Sequence, residues 1–271
     1  MVKPNREVLP FLKQLVEVLK KNRRELVFDR VAADMLGAGG GVDRADIGGR
    51  SDLLMLIGGD GTFLSVARQA VQNDIPVAGF NLGSLGFLTE LTKDTIPESV
   101  EGILNHRLTI SRRKVLDIRF GRQKFLALND TVIAKGNIAR IIEIQITIDG
   151  ETIGAVKSDG LIIASPTGST AYSLAAGGPI VSPRVNGILI TPISPHSLTF
   201  RPLVVSGDSR IRIRLLSDMD NVWITIDGQN ALKISRGQFF EAAVDPRDLK
   251  MIVSDRIGYF QLLNEKLNWG A

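Results

Sequence analysis

The chain has 271 residues, 44% of them hydrophobic, a formal net charge of +4 and no cysteine. This length can bury the core of one large domain or two ordinary ones, and the lack of cysteine excludes thiol nucleophiles, cysteine zinc sites and disulfides. Because lysine and arginine are dispersed among acids and apolar runs stay below about 18 residues, we expect a cytoplasmic protein without a nucleic-acid or membrane partner.

The first third of the chain alternates helical and strand patterns. Leucines between Leu9 and Leu19 recur at helical spacing, and Leu26–Phe28 reads as a short buried strand. The segment from Gly37 to Gly49 is rich in glycine, which predicts a flexible surface loop.

A continuous apolar run, residues 52–57, is typical of a parallel strand that is covered on both faces. A helical pattern at residues 63–71 and another apolar strand at residues 76–80 follow it. This order of elements predicts a doubly wound α/β domain over residues 1–108.

The pattern changes after residue 108. Isoleucines alternate with polar residues over residues 142–148, and similar alternation occurs at residues 210–215 and 222–226. Asp149-Gly150 and Asp227-Gly228 are hairpin signals. We therefore expect an antiparallel β-sandwich over residues 109–248, and we expect residues 249–271 to pack on the first domain.

The turn after the strand at residues 52–57 reads Gly58-Gly59-Asp60-Gly61-Thr62. Glycines between a strand and a helix bring backbone N–H groups close to an anion such as phosphate. A carboxylate at such an anion-binding turn must have a function. It either helps a metal to bind or accepts a proton from an attacking hydroxyl. The alternative, that Asp60 only caps the helix, is less favoured at the carboxyl end of a buried strand.

Three other segments carry polar residues in apolar surroundings. The segment from Asn81 to Phe87 follows the next strand, so it should form a second wall beside Asp60. Asn129-Asp130 interrupts an apolar run, either as nucleotide ligands or as a satisfied β-bulge. A run rich in serine, threonine and glycine, residues 165–173, could hold a sugar and cover a base.

Taken together, these motifs resemble the bacterial NAD kinase family, with the match running from about residue 52 to the end. The glycine turn alone is shared with diacylglycerol kinases, sphingosine kinases and 6-phosphofructokinases. Asn129-Asp130 and the block from Thr167 to Tyr172 narrow the resemblance to NAD kinases.

The resemblance implies transfer of the terminal phosphoryl group of ATP, or of polyphosphate, to the 2′-hydroxyl of the adenosine ribose of NAD. It further implies Mg²⁺ or another divalent cation and assembly into a homodimer or homotetramer. No metal ligand is assigned.

The resemblance also implies site residues. Asp60 is the catalytic residue, and the phosphate loop is formed by Gly58, Gly59 and Thr62. The residues implied to bind substrate are Gly61, Asn129, Asp130, Arg140, Lys157, Asp159, Thr167, Thr170, Ala171, Tyr172, Ser173, Ala175 and Gln229.

Two alternative functions remain open to the sequence. A lipid or sugar kinase could use the same glycine turn, although the chain offers no evident apolar patch or basic face for a membrane. A non-catalytic NAD-binding regulator could keep the pocket, although it would have no need of a carboxylate facing phosphate.

Overall fold

The structure is a computed structural model that describes residues 1–2, 5–83, 85–136 and 140–269. The chain divides into two compact units. The first unit consists of Met1–Arg112 together with Leu249–Ala271, and the second consists of Arg113–Asp248. None of the helices in the described part combines the length and hydropathy that a membrane-spanning segment requires.

Helices and strands are numbered in chain order. The helices are α1 (Leu9–Lys21), α2 (Arg30–Leu36), α3 (Arg44–Ile47), α4 (Asp60–Gln72), α5 (Ile96–Leu104), α6 (Tyr172–Ala175) and α7 (Tyr259–Leu267). The strands are β1 (Leu54–Ile57), β2 (Val77–Asn81), β3 (Leu91–Thr92), β4 (Thr109–Arg113), β5 (Leu116–Phe120), β6 (Gln123–Ala127), β7 (Asp130–Lys135), β8 (Ile142–Ile148), β9 (Glu151–Ser158), β10 (Gly160–Ala164), β11 (Gly187–Ile193), β12 (Leu203–Ser206), β13 (Ile211–Leu215), β14 (Val222–Ile226), β15 (Asn230–Ile234), β16 (Phe239–Val244) and β17 (Leu249–Val253).

The first unit is built on a sheet in the order β1-β2-β17-β4, with β3 also pairing with β2. Strands β1, β3 and β17 all run parallel to β2. Strand β17 pairs Met251 with Val77, so the end of the chain returns to the first sheet. The predicted α/β class and the return of the C-terminal segment are therefore confirmed.

Helices cover both faces of this sheet. Alternate residues of its strands point to opposite sides, so each strand contributes side chains to both helix layers. Ile57 and Phe80 share one core cluster with Leu12 of α1 and Val100 of α5. The neighbouring Gly79 lies against α4 on the other face, where a Cβ atom would be 3.1 Å from the ring of Phe63 and 2.9 Å from Thr89.

Two local predictions in this unit were wrong. Leu26–Phe28 is half-buried and forms no strand. The glycine-rich segment is more ordered than its composition indicates: Val42 forms a parallel bridge with Asp29, and α3 begins at Arg44. The buried carboxylate of Asp29 pairs with the Arg44 guanidinium at 2.8 Å, and this contact orders the segment.

The second unit consists of two six-stranded antiparallel sheets, as predicted. One sheet has the order β12-β11-β10-β7-β14-β15, and the other has the order β6-β5-β16-β13-β8-β9. Alternate residues of both sheets form one core, for example Ile133 and Ile163 from the first and Ile144 and Ile213 from the second. This core makes the sandwich a stable platform for residues at the strand ends.

Both predicted Asp-Gly hairpin turns are present. Asp149 and Gly150 have φ angles of +51° and +89°, and Asp227 and Gly228 have φ angles of +49° and +64°. Two consecutive positive φ angles match the twist of antiparallel strands, which explains the preference for Asp-Gly at these positions.

Candidate functional site

The glycine turn joins β1 to α4, with Asp60 as the first residue of the helix. Gly58 packs on Thr62, since a Cβ atom at residue 58 would lie 2.6 Å from Thr62 Oγ1. In contrast, a Cβ atom at Gly59 or Gly61 would meet nothing within 4 Å. The turn therefore closes on itself at its base and leaves open space above the start of the helix, where backbone N–H groups favour anions.

The carboxylate of Asp60 is held by the loop that follows β2. Its Oδ2 accepts a hydrogen bond from the backbone N–H of Phe87 at 3.0 Å. Its Oδ1 accepts hydrogen bonds from the N–H of Leu88 at 3.1 Å and from the Thr89 hydroxyl at 3.2 Å. The prediction that this loop forms a wall beside Asp60 is confirmed.

Gly86 is required for this contact. A Cβ atom at this residue would overlap Asp60 Oδ1 and lie 2.6 Å from Thr89 Oγ1. The N–H of Gly86 also bonds to the carbonyl of Thr89 at 3.2 Å, which closes the loop around the carboxylate. Only glycine lets the backbone approach Asp60 this closely.

In the second unit, Asn129 and Asp130 lie at the start of β7 beside the hairpin turn that follows β14. The carboxylate of Asp227 accepts hydrogen bonds from the backbone N–H groups of Leu128 and Asn129, each at 2.8 Å, and of Asp130 at 3.1 Å. The N–H of Asp227 returns a bond to the Asp130 carbonyl at 2.9 Å. One turn residue thus fixes the backbone of the polar pair.

The two carboxyl groups of this cluster differ in their partners. Asp130 is 6% exposed, and its side chain has no hydrogen-bond partner in the described part of the chain. Burial raises the pKa of Asp130 to about 7, and the charge of Asp227 adds to the shift. Burial also raises the pKa of Asp227, although its three N–H donors oppose this. A buried carboxyl group without partners is typical of a ligand-binding position.

The segment after β10 packs directly on Asn129. Ser165 donates its N–H to the Asn129 carbonyl at 2.9 Å, and a Cβ atom at Gly168 would overlap the same carbonyl. Thr167 is 6% exposed, and its Oγ1 has no partner among the residues described. The structure therefore brings Asn129, Asp130 and Thr167 together at one end of the sheet.

The remaining residues of this block differ in exposure. Thr170 bonds to the Thr167 carbonyl at 3.3 Å, and Ala171 is half-buried. Tyr172 is 48% exposed at the start of α6, and Ala175 is also exposed. Ser173 is fully buried, and its hydroxyl shares a hydrogen bond with Thr191 at 2.8 Å.

Asp159 lies just before β10, at the end of that strand opposite to Asp130, and Lys157 lies on β9 of the other sheet. Strand β10 pairs Ala164 with Asp130 at one end and Gly160 with Ala134 at the other, a separation of about 13 Å along the strand. Asp159 pairs with Lys135 at 2.6 Å, and Lys157 is exposed. Within this unit, the structure does not bring these two residues to Asp130.

Two further predicted residues are on the surface. Arg140 is exposed just before β8. Gln229 is exposed in the hairpin turn next to Asp227, and its N–H bonds to the Ile226 carbonyl at 2.9 Å. Gln229 therefore lies beside the cluster of Asp130 and Asp227.

Family models match both parts of the chain. The ATP-NAD kinase N-terminal domain matches residues 42–108, and the ATP-NAD kinase C-terminal domain matches residues 128–254. An NAD kinase of Syntrophotalea carbinolica is 44% identical over 246 residues, covering 89% of this chain and 86% of the relative. The chain belongs to the NAD kinase family. The resemblance predicted from the motifs is therefore confirmed.

A further relative and two solved structures match over most or all of the chain. One from Acidobacterium capsulatum is 36% identical over 277 residues, covering 100% of this chain and 97% of the relative. The crystal structure of yeast NADH kinase complexed with NADH has a TM-score of 0.91 at 27% identity and covers 100% of this chain and 87% of that chain. An NAD kinase from Archaeoglobus fulgidus in complex with ATP shares the fold, with a TM-score of 0.77 at 21% identity, and covers 95% of this chain and 94% of that one.

The sequence did not reveal three residues of the site. The Asp227-Gly228 pair indicates a hairpin turn, but this signal does not indicate that the Asp227 carboxylate binds the backbone N–H groups of residues 128–130. Lys135 and Thr89 carry no local signature, because their partners Asp159 and Asp60 are distant in sequence.

Among the described residues, no three histidine, aspartate or glutamate side chains cluster as a metal site. A kinase cation does not need such a cluster, since Mg²⁺ is usually bound by one or two carboxylates together with substrate phosphates and water. Asp60 supplies one carboxylate at the glycine turn, which fits a cation that arrives with a nucleotide.

Proposed function

We propose that this chain transfers the terminal phosphoryl group of ATP to the 2′-hydroxyl of the adenosine ribose of NAD, forming NADP and ADP. Membership of the NAD kinase family supports the reaction. The observation that carries it is the Asp60 carboxylate, fixed at the open face of a glycine turn by three donors.

In the proposed reaction, the oxygen of the 2′-hydroxyl attacks the terminal phosphorus of ATP. Asp60 accepts the proton of this hydroxyl. The bond from this phosphorus to the bridging oxygen breaks, and ADP leaves. Positioning and charge stabilisation dominate such transfers. The glycine turn contributes N–H groups and the positive end of the α4 dipole for the phosphates.

We propose that the second unit holds the adenosine half of NAD. The Asp130 carboxylate would accept hydrogen bonds from ribose hydroxyls, and Asn129 can bind an adenine edge. Thr167 offers a buried hydroxyl without a partner in the described structure, and the exposed ring of Tyr172 can cover a base. Arg140, Lys157 and Asp159 remain proposed substrate contacts.

A divalent cation, Mg²⁺ or a similar ion, is part of the proposal. Its chemistry would be to neutralise the charge on the phosphate oxygens. It would be held chiefly by those oxygens and water, with Asp60 as the nearby carboxylate of the chain.

The proposal is tested by incubating the protein with NAD, ATP and Mg²⁺ and measuring NADP. We expect turnover in the wild type and a loss of at least about a hundredfold in Asp60→Asn, because an amide cannot accept the proton. NAD binding by the folded Asp60→Asn variant serves as the control. NAD binding without any NADP from the wild type would instead favour a regulator, and near-normal turnover by the variant would contradict the role of Asp60.

Polyphosphate in place of ATP, and a lipid or sugar in place of NAD, are further arms of the same assay. We also propose a homodimer or homotetramer in the cytoplasm, which light scattering and fractionation would test.

A further inference from the structure

Two side chains without an assigned role, Asn81 and Thr89, form a chain of hydrogen bonds in which each donates to the next and the last acceptor is Asp60. The amide of Asn81 donates from Nδ2 to the Thr89 hydroxyl at 2.9 Å. The Thr89 hydroxyl donates to Asp60 Oδ1 at 3.2 Å. Asn81 is 9% exposed and Thr89 is fully buried, so water cannot easily replace either bond.

The direction of this chain follows from its first member. The Oδ1 atom of Asn81 accepts a hydrogen bond from the backbone N–H of Gly83 at 2.9 Å. Because an N–H group can only donate, the oxygen of the amide must face Gly83 and the nitrogen must face Thr89. A hydroxyl has a single proton, and with its oxygen accepting from Asn81 that proton is directed to Asp60.

The two oxygens of Asp60 are therefore not equivalent. A carboxylate oxygen has two lone pairs. Those of Oδ1 are both used, by Leu88 N–H and by Thr89. Oδ2 accepts only from the N–H of Phe87 within the described structure, so one lone pair remains available.

We propose that Oδ2 is the oxygen of Asp60 that meets the reacting hydroxyl, and that Asn81 and Thr89 are positioning residues that keep Oδ1 occupied and Oδ2 free. This inference rests on the proposed function. The proton passes from the substrate hydroxyl to Oδ2, while the oxygen of that hydroxyl forms its bond to phosphorus. Neither positioning residue gains or loses a proton.

The test compares Thr89→Val, which keeps the shape and removes the donor, with Thr89→Ser, which keeps the donor. We expect kcat to fall roughly ten- to hundredfold in Thr89→Val with little change in the KM for NAD, because a hydrogen bond to a charged group is lost. Thr89→Ser should restore most of kcat. The matched control is Thr95→Val, since Thr95 is half-buried in the same unit and bonds to the Thr92 carbonyl instead.

Equal losses in Thr89→Val and Thr89→Ser would assign Thr89 to packing alone and overturn the proposal, as would a change confined to KM. A second readout is independent of turnover. Amide hydrogen exchange at Phe87 and Leu88 should accelerate in Thr89→Val and remain slow in Thr89→Ser, because the freed carboxylate holds these N–H groups less firmly. Unchanged exchange would also overturn the proposal, whereas absent NADP in the wild type would count against the proposed function only.

Discussion

At the scale of single residues, Asp130 and Asp227 are two carboxyl groups whose pKa burial raises, but which differ in their hydrogen-bond partners. Asp227 accepts three backbone N–H bonds, which favour its charged form, although burial outweighs them and its pKa is still raised. Asp130 has no such donors in the described structure, so burial and the nearby charge raise its pKa to about 7. A ligand that donates hydrogen bonds to Asp130 would stabilise its charged form.

The raised pKa of Asp130 predicts a pH dependence of NAD binding. Because its pKa is raised in the protein without ligand, the Asp130 carboxyl group is protonated below about pH 7. It must then release this proton before both of its oxygens can accept hydrogen bonds from the ribose hydroxyls. The affinity for NAD should therefore rise with pH by up to about tenfold per unit below pH 7, and level off above it. Calorimetric titration at pH 6, 7 and 8 checks this.

The matched variant is Asp130→Asn, which we expect to bind NAD more weakly and without this rise. The same pH dependence in the variant would assign the effect to another group.

The residue scale also marks the limit of what the sequence could predict. The motif residues were recognisable one by one, but the clamp from Asp227 to residues 128–130 joins positions 97 to 99 apart. Local patterns contain no information on such pairs. The Asp227-Gly228 signal correctly predicted a turn. Only the structure shows that the Asp227 carboxylate also binds the backbone of residues 128–130.

At the scale of elements, glycine positions decide how closely neighbouring segments approach. Gly168, in the turn after β10, lies against the backbone of Asn129, where an added Cβ would be 2.8 Å from the Asn129 Cα. Backbone atoms cannot move aside as a flexible side chain can. The turn and the start of β7 therefore depend on glycine for their contact.

Gly168→Ala should therefore push these two segments apart. We expect a loss of about 1–3 kcal/mol in the free energy of unfolding of the second unit, with weaker NAD binding because Asn129 shifts. Denaturant titration and NAD titration measure the two effects. Gly258→Ala is the control, because a Cβ atom at Gly258 meets nothing within 4 Å. Equal results for both variants would contradict the steric argument.

Element prediction succeeded where periodicity was strong and failed where tertiary contacts decided. The alternating strands and both hairpin turns follow from side-chain pattern and turn chemistry. The order in the glycine-rich segment depends on the Asp29–Arg44 ion pair, which spans 15 residues and overrides the local composition.

At the scale of the whole molecule, the last strand completes the first sheet. Met251 of β17 is fully buried and pairs with Val77 of β2. Its side chain therefore contributes to the core of a unit whose other strands all lie before residue 114.

Met251→Ala should destabilise the first unit by about 2–5 kcal/mol, as for other large-to-small core changes. Hydrogen-exchange mass spectrometry should show faster exchange in β1 and β2. The control is Ile110→Ala on β4, since Ile110 belongs to the same sheet but is 50% exposed. Unchanged exchange in β2 would mean that β17 contributes little to the sheet.

The position of β17 between β2 and β4 has a consequence for biosynthesis. Chains are made from the N-terminus, and domains commonly fold in that order as they emerge from the ribosome. Here the whole of Arg113–Asp248 is synthesised before Leu249–Val253 becomes available to the first sheet. The unit that carries Asp60 therefore receives the strand between β2 and β4 only after the whole of the second unit has been synthesised.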